Sequence, residues 1–160
     1  MQKAIYDAHY TAIFSYILYL TSDKELTHDL LQETFYRYFR NTNKTIENEK
    51  AFLLRIARNL VYDHFRKKRL LKFFTLTKDD RVDTAPLPVE IVTQGEDIAA
   101  LYSALQQLKF SYRETVVLRY IEEYSVKEVA KILGCSEAQV KNNTARGLQK
   151  LRLLLEGSDE

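Results

Sequence analysis

Lys141, Asn142, Arg146 and Gln149 recur at helical spacing near the end of the chain, with Ser136, Gln139 and Ala145 on the same strip. Between residues 138 and 155 there are four basic residues and no acid. Such a strip can contact phosphates through Arg and Lys, and base edges through Asn and Gln. A second basic stretch, residues 50–72, holds eight Lys and Arg (Lys50, Arg55, Arg58, Arg66, Lys67, Lys68, Arg69, Lys72) against one acid, Asp63. Two such stretches in a chain of net charge +2 point to two polyanion-facing surfaces. Either stretch taken alone is also what a solvated helix face looks like.

The first strip sits in a segment, residues 125–151, that meets the demands of a helix-turn-helix. Ala130 is small enough for two helices to cross closely. Gly134, four positions later, can take the positive φ of a tight turn. Ser136 can cap the second helix, and Glu137 suits its positively polarised first turn. Val140, Leu148 and Leu151 anchor that helix. Ala138, Lys141, Asn142, Ala145, Arg146 and Gln149 are left for a major groove.

The rest of the chain reads as helices. Ile5, Ile13, Ile17 and Leu20 mark one. Leu30, Leu31, Phe35, Tyr38 and Phe39 mark a second, with Thr21-Ser22-Asp23 as its start signal. Phe52, Leu53, Ile56, Leu60 and Phe65 mark a third, basic one. Both prolines, Pro86 and Pro88, lie in the mixed stretch 75–95, and Pro86-Leu87-Pro88 should be extended. Four shorter helices follow, marked by Ile98–Leu108, Val116–Ile121, Val126–Leu133 and residues 136–155. The fold class expected is all-α: two small helical domains, 1–73 and 96–157, joined by a linker over 74–95.

Composition narrows the function. With 160 residues, 46% hydrophobic, the chain has a core to bury and is not disordered. Its one cysteine, Cys135, excludes an internal disulfide and fits a reducing compartment. The most apolar early stretch, residues 12–20, is too short for a bilayer span, and no signal-peptide pattern opens the chain. A cytoplasmic protein without membrane insertion is expected. His9, His28 and His64 are scattered, Cys135 has no partner at metal-ligand spacing, and no Gly-rich phosphate loop occurs. No catalytic residue, metal or cofactor is expected, and no enzyme activity.

Two motifs make the function specific by resemblance. Asp29-Leu30-Leu31-Gln32-Glu33-Thr34-Phe35 resembles the D-L-x-Q-E-x-F motif of region 2 of the sigma-70 family. The run Phe52-Leu53-Leu54-Arg55-Ile56-Ala57-Arg58-Asn59-Leu60, followed by Asp63 and basic residues, resembles the next part of that region, with Phe52 where most relatives carry Trp. The second domain resembles region 4. The linker leaves no room for region 3, so the chain is similar to the extracytoplasmic-function (ECF, group 4) sigma factors over residues 1–155.

The resemblance implies a specificity subunit of bacterial RNA polymerase, and it implies roles. Asp29, Gln32, Glu33 and Tyr36 would dock on the β′ clamp helices of core polymerase. Arg55, Arg58, Asn59, Tyr62, Arg66 and Lys67 would face the −10 element, with loop 41–50 near a flipped base. Ser136, Gln139, Lys141, Asn142, Ala145, Arg146 and Gln149 would face the −35 duplex. Further partners implied are the polymerase β flap and an anti-sigma factor. In the recognition helix the chain departs from the pattern. Asn143 and Leu148 stand where relatives are commonly basic, and Gly147 weakens a helix interior by about 1 kcal/mol relative to Ala. A weaker electrostatic grip and an A-rich −35 element are expected; an unchanged −35 preference in Asn142→Ala would overturn the second point. Two rivals stand beside this reading. One is a stand-alone helix-turn-helix regulator, against which the region 2 motif argues. The other is an adaptor that binds no DNA, against which the basic stretches argue.

Overall fold

The computed structural model describes residues 2–41, 46–74 and 87–157, and every regular element among them is helical. Three long helices come first: α1 (Gln2–Thr21), α2 (Lys24–Arg40) and α3 (Glu49–Phe74). Each buries one stripe. Ile13, Tyr16, Ile17 and Leu20 of α1 meet Leu31, Phe35 and Tyr38 of α2 and Leu53, Leu54, Ala57 and Val61 of α3. The α1–α2 turn is the start signal read from Thr21-Ser22-Asp23. Asp23 accepts a hydrogen bond from the Leu26 amide at 3.1 Å, and Ser22 takes a φ of 53°. Phe52, the residue in place of Trp, meets the Tyr38 ring edge-on at 5.8 Å.

The later helices are α4 (Val89–Val92), α5 (Glu96–Gln107), α6 (Phe110–Val116) continuing as a π-helical segment (Val117–Ile121), α7 (Val126–Leu133) and α8 (Glu137–Glu156). The stretch read as linker therefore ends in a short helix. Ile91 of that helix is fully buried, and its amide donates to the Pro88 carbonyl at 2.9 Å. Pro86 and most of the stretch lie outside the described residues, as do residues 42–45 of the loop placed near a flipped base. The third helix runs on to Phe74, well beyond its last sequence marker, Phe65.

The helix-turn-helix forms as its residue types require. Gly134 adopts a φ of +69°. The amides of Gly134 and Cys135 both donate to the Ala130 carbonyl, at 2.9 and 3.1 Å. Ser125 and Glu128 form a reciprocal capping box at the start of α7, with both bonds at 3.1 Å. The Ser125 amide and, after it, the Ser125 side chain favour the ionised carboxylate and hold Glu128 below its ordinary pKa of 4.5. Their contribution is thus present above pH 4.5 and is lost as pH falls through the lowered value. Denaturation midpoints of the parent and of Glu128→Gln should differ near neutrality and converge in acid.

Gly147 has a packing role that the sequence did not announce. A Cβ built there would lie 2.8 Å from Val116 Cγ2 and 3.2 Å from Tyr112 Cβ, so α6 and α8 touch through a bare backbone. The helix penalty read from sequence is set against that close approach. Gly147→Ala should lower unfolding stability by about 1–3 kcal/mol in urea, although alanine is the better helix former.

A single connected core runs through both halves of the chain. Tyr19 of α1 stacks on Tyr102 of α5, with ring centroids 4.6 Å apart and planes 6° from parallel. The last carbonyls of α1 have no partner within their own helix and are met from the other half. Leu20 O accepts from Arg113 at 2.7 Å and from Gln106 at 3.3 Å.

Candidate nucleic-acid interface

Helix α8 sorts its residues cleanly. Val140, Gly147 and Leu151 face the core. Ser136, Gln139, Lys141, Asn142, Ala145, Arg146 and Gln149 are all exposed. Ser136 caps the helix, its hydroxyl oxygen accepting from the Gln139 amide at 3.1 Å. The half-buried Thr144 bonds back to the Val140 carbonyl at 2.7 Å. The result is a rigid strip with two cations, three amide side chains and an alanine where a bulky side chain would hold a duplex away.

Helix α3 presents the second set at spacings of three and four. Arg55, Asn59, Tyr62, Arg66 and Lys67 are exposed, while Arg58 is half-buried. Arg58 lies over the Tyr62 ring at 4.8 Å. Its guanidinium makes a forked contact with Glu114 of α6, Nε to Oε2 at 2.7 Å and Nη2 to Oε1 at 3.2 Å. Burial acts to lower the Arg58 pKa, but the hydrogen bonds and attraction to Glu114 outweigh it and leave it raised. Burial pushes the Glu114 carboxyl up despite the pull of Arg58. Nearby, Phe110 of α6 packs at 5.9 Å from Tyr62 and 5.7 Å from Phe65.

The third set lies on α2. Asp29, Gln32 and Tyr36 are exposed, and Glu33 is half-exposed and paired with Arg37 at 2.9 Å. Gln32 donates to the Tyr6 hydroxyl at 3.2 Å. The three sets thus occupy three faces on three helices. Sequence reasoning passed over Phe110, Arg113 and Glu114. Glu114 and its partner Arg58 lie 56 positions apart, and no local pattern links them.

Similarity to known proteins points the same way. Residues 5–70 match the family model described as Sigma-70 region 2, and residues 98–151 match Sigma-70, region 4. The chain is 38% identical over 162 residues to the ECF RNA polymerase sigma factor SigX of Bacillus subtilis, covering 96% of this chain and 83% of SigX. It is 31% identical to SigM of the same organism, covering 94% of this chain and 92% of SigM. The fold resembles the sigma factor RpoE of Bartonella quintana, solved with the anti-sigma factor NepR, at a TM-score of 0.77 and 24% identity over 96% of each chain. It also resembles CnrH, solved with the cytosolic domain of CnrY, at a TM-score of 0.71 and 22% identity over 98% of this chain and 88% of CnrH. A helical protein with paired region 2 and region 4 units is a transcription initiation factor in class. The chain belongs to the sigma-70 family, among the ECF RNA polymerase sigma factors.

Proposed function

We propose that this chain directs core RNA polymerase to promoters by reading a −35 duplex with the exposed strip of α8 and a −10 strand with the outer face of α3. The observation that carries this reading is the pairing of an acid-free, donor-rich α8 strip with a separate basic and aromatic α3 face. Within it, residues 1–73 act as the region 2 unit, 74–95 as the linker and 96–157 as the region 4 unit. Lys141 and Arg146 hold phosphates, and Asn142 and Gln149 read base edges. Arg55, Arg58, Arg66 and Lys67 track the −10 backbone, while Asn59 and Tyr62 meet unstacked bases. Asp29, Gln32, Glu33 and Tyr36 dock on the β′ clamp helices, and the region 4 unit meets the β flap. One solved fold neighbour is a sigma factor bound to an anti-sigma factor, and we assign such a partner to this chain as well. The protein works by binding, without catalysis of its own, in the cytoplasm. Among the described residues no helix is long and apolar enough to cross a membrane.

Run-off transcription with bacterial core polymerase on fragments of the host genome tests this directly. Discrete new transcripts that share two spaced upstream elements are expected. Absence of transcripts together with absence of core binding would leave a stand-alone duplex binder instead.

A further inference from the structure

The end of α3 overhangs the helices it packs against. The last buried residue of this helix is Val61, and every residue from Arg66 to Phe74 is exposed. That stretch is about 13.5 Å of helix. It holds five cations, Arg66, Lys67, Lys68, Arg69 and Lys72, and no acid. Its other residues are Leu70, Leu71, Phe73 and Phe74, which are 47, 65, 75 and 75% exposed. Large apolar side chains exposed singly need no explanation, but four within five positions form a patch that does.

Helical spacing sorts the stretch into two stripes. Leu70, Phe73 and Phe74 stand at i, i+3 and i+4, with Leu71 on their flank. Lys68 and Arg69 stand one turn before Lys72 on the neighbouring stripe. The Phe73 and Phe74 rings meet edge-on at 5.7 Å. The nearest preceding acid, Asp63, pairs with Arg66 at 3.6 Å. A nucleic acid would satisfy the basic stripe but leave the leucines in water, because they offer no ring for a base to stack on. An anionic lipid surface satisfies both stripes: phosphate headgroups meet the cations, and the acyl boundary takes the apolar side chains. The helix is continuous with the packed part of α3, so docking does not first have to order it.

We propose that residues 66–74 form a docking site for anionic lipid bilayers, with Leu70, Leu71, Phe73 and Phe74 entering the headgroup–acyl boundary and the cations at headgroup level. The chain then lies on the bilayer rather than across it; among the described residues no helix is long and apolar enough to cross. The inference stands apart from the −10 assignment, in which residues 70–74 have no part.

The chain contains no tryptophan, so Phe74→Trp in the full protein gives a single indole reporter at the patch. Vesicles of phosphatidylcholine with about 30% phosphatidylglycerol should shift its emission to the blue, and brominated acyl chains in the same vesicles should quench it. Pure phosphatidylcholine vesicles should do neither. Leu70→Ser with Phe73→Ser, in the reporter background, should weaken partitioning roughly tenfold, and so should Arg69→Gln with Lys72→Gln. Urea denaturation should be unchanged in both, since the altered side chains are exposed.

Three results would overturn the proposal. The first is no shift with anionic vesicles at low salt. The second is binding that the charge variant weakens and the Leu70→Ser, Phe73→Ser variant does not, which is bare attraction between charges and leaves the stretch to nucleic acid. The third is a blue shift with core polymerase but none with vesicles, which gives the patch to a protein groove.

Discussion

Arg113→Leu should unfold the protein at markedly lower urea concentration, with a loss of about 3–5 kcal/mol. Arg113 is 7% exposed and gives its donors to four carbonyls: Leu105 at 2.8 Å, Leu20 at 2.7 Å, and Gln106 and Leu108 at 3.1 Å each. Its guanidinium also lies over the Phe65 and Phe110 rings, at 5.5 and 5.8 Å. Leucine fills part of the volume and leaves the helix-end carbonyls of α1 and α5 without these donors. Burial pulls the Arg113 pKa down to about 10, still far above neutrality, so the charge remains and is carried by carbonyl dipoles rather than a carboxylate. Lysine is not an adequate replacement, because three donors on one nitrogen cannot reach four carbonyls set around a planar fork. Arg113→Lys should recover less than half of the loss, read from the same denaturation curves.

Lys141→Ala combined with Arg146→Ala should weaken binding to a cognate −35 duplex by roughly a hundredfold, taking about 1–3 kcal/mol for each side chain. Both side chains are exposed on a helix whose fold depends on the opposite face, so unfolding stability should change little. The two singles separate phosphate from base recognition. A residue that holds a phosphate, once truncated, lowers affinity for all sequences alike and reduces the salt slope by about one; a residue that reads a base, once truncated, relaxes preference at one position. Anisotropy titrations across a salt series on wild-type and point-changed duplexes distinguish these. Loss of stability rather than of affinity would move Arg146 from the DNA face to the fold.

Most of the helical framework was legible because its signals are local. The stripe Leu31, Phe35 and Tyr38, the Asp23 and Ser136 caps and the Gly134 turn each follow from residues within a few positions of one another. The exposed strip of α8 was legible for the same reason, since exposure on a helix is the complement of its anchors. Gly147 was read as a weakness because its reason lies in Tyr112 and Val116, far earlier in the chain. The extent of α3 was underestimated because residues 66–74 mix basic and apolar side chains with no single buried stripe. Arg58 was read as facing the −10 element, and nothing near it in sequence announces its partner Glu114. Pairings across tens of residues are a property of the tertiary fold, and one sequence carries no local trace of them.

The shared core also bears on how such chains can be recombined. Tyr19 against Tyr102, Arg113 and Gln106 on the end of α1, and Arg58 on Glu114 form one matched seam between the halves. A chimera that takes its duplex-reading half from a relative inherits only one side of that seam. Mismatched grafts would expose apolar surface and strand the Leu20 carbonyl, favouring self-association over a simple change of promoter choice. On the proposed reading the two halves read separate DNA elements, yet they share one packed core. A successful swap has to carry the seam residues of α1 and α3 along with the helix that reads the sequence.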